Sequence, residues 1–149
     1  MDARPISDTL AVSPQLQPDD IPAAKAAGYR AIICNRPDGE GADQPGQAAM
    51  AEAARAAGLA FRYLPVTPGA AAGDTVEAFG RALAELPGPV LAYCRTGTRS
   101  ATLWALAEAG RRPARDILSA AQAAGYDLGG LAARITASGP RAEHLQPAQ

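Results

Sequence analysis

The chain has 149 residues, 48% of them hydrophobic and 19% charged, which suits one soluble domain with a sizeable core. A formal net charge of -1 excludes a general affinity for nucleic acid or acidic membrane, and no apolar run is long enough to cross a bilayer. Met1-Asp2-Ala3-Arg4-Pro5 lacks the apolar core of a signal peptide, and the two cysteines sit in dissimilar contexts, so a reducing, cytoplasmic setting without disulfides is expected.

In chain order, Thr9 to Ser13 alternates and predicts a short edge strand closed by Pro14. Gln17-Pro18-Asp19-Asp20 starts a helix that reaches about Ala27, with Gly28 suited to a left-handed stop. Tyr29 to Asn35 is a buried strand by its length and β-branching, followed by a turn-rich loop, Arg36 to Gly41. A helix is expected from Gln47 to Ala57, stopped by Gly58, then a strand from Leu59 to Val66 and a loop from Thr67 to Gly73. Asp74 and Glu77 have capping-box spacing at the head of a helix reaching Leu86. Pro87-Gly88-Pro89 turns the chain into a strand ending at Cys94. Helices follow to about Ala109, from about Ala114 to Ala124, and from Asp127 to Ala137. The core spans about residues 8–138, and the polar tail 139–149 is expected to fray. Strands alternating with helices predict one α/β domain over residues 1–149, with a mostly parallel sheet flanked by helices. Ligands bind such sheets outside the carboxyl ends of the strands.

The segment Val90 to Ser100 concentrates the chemistry. An apolar run ends on Cys94, a polar loop with one glycine follows, and a helix begins. Backbone N–H groups of such a loop converge on an anion, and the helix dipole favours a thiolate beside them. Cys94 is the candidate nucleophile and Arg99 the candidate anion clamp, since a cation in the first turn of a helix is otherwise unfavourable. Arg95, Thr96, Gly97, Thr98 and Ser100 complete the candidate anion-binding loop. Arg95 is either a rim contact or a surface charge, and Ser100 either caps the helix or bonds the Cys94 sulfur. Cys34, Asn35, Arg36 and Asp38 end the neighbouring strand and are candidates for the pocket rim. Cys34 is read as a small core residue or as a second thiol, and Asp38 as a turn former first. Trp104 is assigned to the core and His144 to solvent. With one histidine and no clustered cysteines, no metal site is expected, and no dinucleotide or phosphate-loop fingerprint calls for a nucleotide cofactor.

The loop Cys94 to Ser100 resembles the phosphate-binding loop of cysteine-dependent protein tyrosine and dual-specificity phosphatases. Val12 to Gln15, Ile33 to Glu40 and Tyr63 to Gly69 further resemble a bacterial family. This is the beta-lactamase-hydrolase-like, or phosphatase-like, family, often classed as sulfur transferases. The resemblance covers about Asp8 to Gly110 and implies a dual-specificity-phosphatase-like fold. It also implies a small anionic sulfur or phosphate substrate, no cofactor, and a persulfide dioxygenase or a thiol acceptor as partner.

Two departures from the phosphatase pattern stand out. Four residues separate Cys94 from Arg99, one fewer than in those phosphatases, and Tyr93 stands where they usually carry histidine. The loop Thr67 to Gly73, which corresponds to the one that supplies their general acid, holds no carboxylate. Asp74 closes it as either cap or acid, and Asp38 or Glu40 could reach in from the preceding loop. Sulfur transfer needs no acid, because sulfite and thiolates leave as stable anions. On the sequence, therefore, a Cys94-persulfide sulfurtransferase ranks first. A phosphatase acting through a phosphocysteine is close behind, and a non-enzymatic phosphoanion-binding module is third.

Overall fold

The computed structural model describes residues 1–137. Strands β1 (Arg4–Pro5), β2 (Leu10–Ser13), β3 (Ala31–Cys34), β4 (Ala60–Tyr63) and β5 (Val90–Tyr93) form a sheet in the order β1-β2-β5-β3-β4. Only β1 runs antiparallel to its neighbour; the other pairings are parallel. The helices are α1 (Ile21–Ala26), α2 (Gln47–Ala57), α3 (Gly73–Glu85), α4 (Thr98–Glu108) and α5 (Ala114–Ala123).

The sheet is covered on both faces, which is why β2, β3 and β5 are buried at every residue and read as near-continuous apolar runs. Alternate side chains divide between two cores. Val12, Ile33 and Ala92 join Phe79 of α3, Trp104 of α4 and Ile117 of α5. Ala11, Ile32, Leu91 and Tyr93 join Ile21 of α1 and Met50 of α2 on the other face. α4 is apolar around most of its circumference because it lies against both α3 and α5.

Register positions the site. Ser13 pairs with Tyr93, Tyr93 with Cys34, and Cys34 with Tyr63, so four parallel strands end level and their following loops open on one edge.

Several expectations change. Thr9 to Ser13 is not at the edge: Arg4–Pro5 adds an outer strand, too short to show any period and compatible with proline because it is an edge. The first helix opens as a 3-10 turn, Pro18–Asp20, before α1. Asp74 is not an N-cap. α3 starts at Gly73, its N-cap is Ala72, and no side chain caps it, which leaves Asp74 exposed in the first turn, where its charge suits the dipole. The region expected as one helix from Asp127 is a 3-10 turn, Gly129–Leu131, followed by helical residues 132–137. The tail from Gly139 lies outside the described residues.

Candidate active site

Cys94 follows the last residue of β5 and is fully buried. Gly97, at φ 97°, is the N-cap of α4, and its N–H donates to the Cys94 Sγ at 3.1 Å. The short loop thus folds down over the sulfur. It is pinned on two further sides: the Gln15 N–H donates to the Arg95 carbonyl at 3.2 Å, and the Tyr126 hydroxyl donates to the Thr96 carbonyl at 3.3 Å. A Cβ at Gly97 would lie 2.1 Å from the Tyr126 hydroxyl oxygen, so backbone and tyrosine meet here only because the residue is glycine. The N–H groups of Arg95, Thr96, Arg99 and Ser100 have no hydrogen-bond partner among the described residues. Unpartnered donors at the head of a helix are the groups that receive an anion.

Arg99 is held from the side. Its Nη1 and Nη2 donate to the two carboxylate oxygens of Glu40 at 2.9 and 2.8 Å, and Nη1 also donates to the Val66 carbonyl at 2.9 Å. Those bonds engage three of the five guanidinium N–H groups. The two left over, on Nε and Nη2, form a parallel fork with no partner among the described residues, the geometry that grips an oxyanion. Glu40 in turn accepts from the Arg36 Nε at 3.1 Å, and the Arg36 Nη1 donates to the Gln15 side-chain carbonyl at 3.0 Å. The hydrogen bond from Arg99 is the main force holding the Glu40 carboxyl below the usual carboxylate range. Desolvation opposes it, and Arg36 assists. Arg99 is correspondingly more firmly protonated.

The other sequence candidates divide. Ser100 neither caps α4 nor bonds the sulfur: its buried hydroxyl donates to the Asn35 Oδ1 at 2.8 Å. Asn35 is not on the rim. It is buried, and its Nδ2 donates to the Leu64 carbonyl at 2.8 Å, tying β3 to the loop after β4. Cys34 is core, not rim. Its thiol donates to the Arg36 carbonyl at 3.4 Å, burial pushes its pKa up, and it belongs to the core on the α1–α2 side with Tyr93. Cys94, one residue past Tyr93, alternates to the opposite face. Asp38 is occupied elsewhere, its Oδ1 accepting from the Gln47 N–H at 2.8 Å and so capping α2 from a distance. Arg36 is buried and acts through Glu40. Thr96 and Thr98 bond each other, Oγ1 to Oγ1 at 3.1 Å, on the exposed side of the loop. Trp104 is core, as expected. Sequence reasoning weighed Glu40 only as a distant acid. The signal for its actual place was an arginine–carboxylate pair inside the Arg36 to Gly41 loop, four residues apart.

A cavity of about 380 Å³ opens over the loop. Its walls come from the segment between β4 and α3, from Arg95, Thr96, Thr98 and Arg99, from Thr102, and from Leu131 and Arg134. Among the described residues, none that lines it is a carboxylate. No cluster of His, Cys, Asp or Glu able to hold a metal ion occurs among the described residues. No helix there is long and apolar enough to cross a membrane.

A mostly parallel sheet with a cysteine at the end of its central strand, a short loop, and an arginine in the first turn of the next helix gives the chain the fold of the tyrosine and dual-specificity phosphatase-like class. Solved structures agree. A phosphatase candidate from Neisseria meningitidis Z2491 superposes with a TM-score of 0.84 at 36% identity, covering 93% of this chain and 99% of that one. P. aeruginosa TpbA in complex with pTyr matches in fold, with a TM-score of 0.62 at 15% identity over 93% of this chain and 90% of that one. More narrowly, residues 2–111 match the family described as "Beta-lactamase hydrolase-like protein, phosphatase-like domain", and the chain belongs to it. The Beta-lactamase hydrolase-like protein of Xylella fastidiosa is 41% identical over 126 residues, 83% of this chain and 29% of that protein. That of Agrobacterium fabrum is 38% identical over 130 residues, 86% of this chain and 30% of that protein. The chain therefore spans less than a third of these curated relatives.

Proposed function

We propose that Cys94 is the nucleophile of a phosphatase-type reaction on a small anionic substrate. The observation that carries this is the set of unpartnered donors beside the sulfur: the loop amides and the free Nε–Nη2 fork of Arg99. The Neisseria meningitidis relative, 36% identical, is a phosphatase candidate by name, which supports this reading. The Cys94 thiolate attacks phosphorus, an S–P bond forms, and the P–O bond to the leaving group breaks with its electron pair on oxygen. Water then hydrolyses the phosphocysteine. With no carboxylate among the described residues that line the cavity, the leaving oxygen departs unprotonated, so substrates with acidic leaving groups are favoured. Cys94 has no exposed surface in this arrangement, its sulfur covered by the Gly97 amide. A nucleophile of this kind has to stay reduced, which fits a cytoplasmic setting.

The missing acid favours a second reading, sulfur transfer, in which Cys94 takes a sulfane sulfur from thiosulfate or a persulfide and passes it to a thiol acceptor. A persulfide dioxygenase would then be a fitting partner. One experiment separates the two. Native protein and Cys94→Ser are incubated with para-nitrophenyl phosphate and, separately, with glutathione persulfide, and followed by turnover and intact mass. Cys94-dependent turnover with a trapped phosphoryl adduct supports the phosphatase. One added sulfur without phosphate turnover makes the protein a sulfur carrier. Neither adduct on a thiol that still alkylates overturns both.

A further inference from the structure

We infer that the cavity takes a substrate with two anionic groups, one seated in the Cys94 loop and the other held at the mouth by Arg134, with Arg95 beside it. The inference rests on the reading that the loop seats the reacting anion, and it names the class of molecule attached.

Three arginines, Arg95, Arg99 and Arg134, line one cavity of about 380 Å³, with no carboxylate among its described lining residues. Arg99 is already offset by Glu40. Arg95 and Arg134 form no ion pair with any described residue; Arg30 and Arg81 form none either, but neither lines the cavity, whereas Arg4, Arg36, Arg55, Arg62, Arg111, Arg112 and Arg115 are all paired. Two uncompensated cations converging on one small volume repel each other, and an anionic ligand removes that penalty. Arg134 is also positioned. Its Nη2 donates to the Ala71 carbonyl at 2.7 Å, which fixes the guanidinium against the loop between β4 and α3 and leaves Nε and Nη1 without a partner among the described residues. It comes from the helical residues 132–137, a different element from the one that carries Arg99, so the two cations approach the cavity from separate sides. Among the remaining wall residues, Val66, Pro68, Ala71 and Leu131 are apolar and suit a short carbon spacer between two charged ends, and four threonines add hydroxyls.

The test is calorimetric binding of matched ligands to the whole chain: methylene and propylene diphosphonate, each against the alkylphosphonate of the same carbon number. These do not react, so binding is read apart from turnover. At least one diphosphonate should bind about tenfold more tightly than its partner. That ratio should fall toward one in Arg134→Gln and further in the Arg95→Gln/Arg134→Gln double variant. Arg134→Lys should keep part of it. Arg30→Gln, the same charge change at the opposite end of β3, should leave it intact. Equal affinities in the native protein overturn the inference, as does a ratio that survives the double variant or falls equally in Arg30→Gln. If neither ligand class binds, the anion-seating reading of the loop falls with it; if the alkylphosphonates bind and the diphosphonates gain nothing, only the second group is refuted.

Discussion

Glu40 and Arg99 lie 59 residues apart and meet as a two-bond ion pair, at 2.8 and 2.9 Å. The pair joins the loop after β3 to the first turn of α4 and aims the remaining fork of Arg99. Glu40 is a positioning residue: it acts through Arg99 and has no place among the cavity walls.

Glu40→Gln keeps the side-chain shape but replaces one acceptor oxygen with a donor, which cannot receive the second guanidinium N–H. Arg99 then loses its fixed angle, and Arg36 loses charge compensation in a buried setting. Steady-state kinetics should show kcat/KM lowered by about tenfold or more, the scale of a misplaced catalytic contact. The fold should lose about 1–3 kcal/mol, from strained and unpaired donors. Unchanged kinetics would remove Glu40 from the site.

The same carboxyl sets a pH dependence. Its folded pKa is lowered, chiefly by Arg99, so its contribution to stability is present above the unfolded value and is lost as pH falls through the folded one. Native protein should therefore exceed Glu40→Gln in melting temperature by a constant margin above about pH 5, and the margin should narrow progressively as pH falls below the unfolded glutamate value of about 4.3. A margin that did not narrow at all on acidification would mean that charge is not what the pair contributes.

Much of this architecture was legible before the structure. α2 falls at Gln47–Ala57 with Gly58 as its left-handed stop, because an alanine-rich run and a glycine are local signals. The loop at Cys94 was legible for the same reason: strand, thiol, glycine and arginine lie within a few residues. What escaped depends on distance in sequence. Asp38 reads as a turn former, yet its carboxylate caps a helix nine residues on. Ser100 and Asn35, 65 residues apart, bond only because β3 and β5 are neighbours in register. Arg134 enters the cavity wall from the far end of the described chain, and no pattern near Cys94 announces it.

Gly97→Ala tests the loop's descent onto the sulfur. A left-handed φ of 97° costs a non-glycine residue about 1–2 kcal/mol, and the new Cβ would also meet the Tyr126 ring, 2.8 Å from its Cζ. Tyr126→Phe in the same background should relieve only part of this, because the ring carbons remain. The variant should melt lower, alkylate Cys94 faster as the Gly97 amide leaves the sulfur, and bind phosphate more weakly. Alkylation at the native rate would show that the loop does not shield the thiol.

The absence of a carboxylate from the cavity walls among the described residues predicts steep leaving-group dependence. Across a series of aryl phosphates, kcat/KM should fall by orders of magnitude as the phenol becomes less acidic, since nothing protonates the departing oxygen. Asp74→Asn should leave that slope unchanged, the residue being exposed in the first turn of α3. Asp38→Asn should also leave the slope unchanged while costing about 1 kcal/mol through the weakened cap of α2. A shallow slope that steepens in Asp74→Asn would identify that aspartate as the acid.

Ser100→Ala separates architecture from chemistry at the residue after the clamp. The Ser100 hydroxyl and the Asn35 carbonyl oxygen meet at 2.8 Å between two fully buried side chains, and Asn35 passes the tie on to Leu64. Deleting the hydroxyl leaves the Asn35 oxygen buried without a donor, so the variant should lose about 1–3 kcal/mol of stability in denaturant titration. No hydrogen bond joins Ser100 to the sulfur, whose amide donor comes from Gly97. The pH profile of Cys94 alkylation should therefore match that of the native protein at temperatures where both are folded. A shifted profile would put the hydroxyl on the thiolate during reaction, and the tie to Asn35 would then be the resting arrangement of a serine that changes partner.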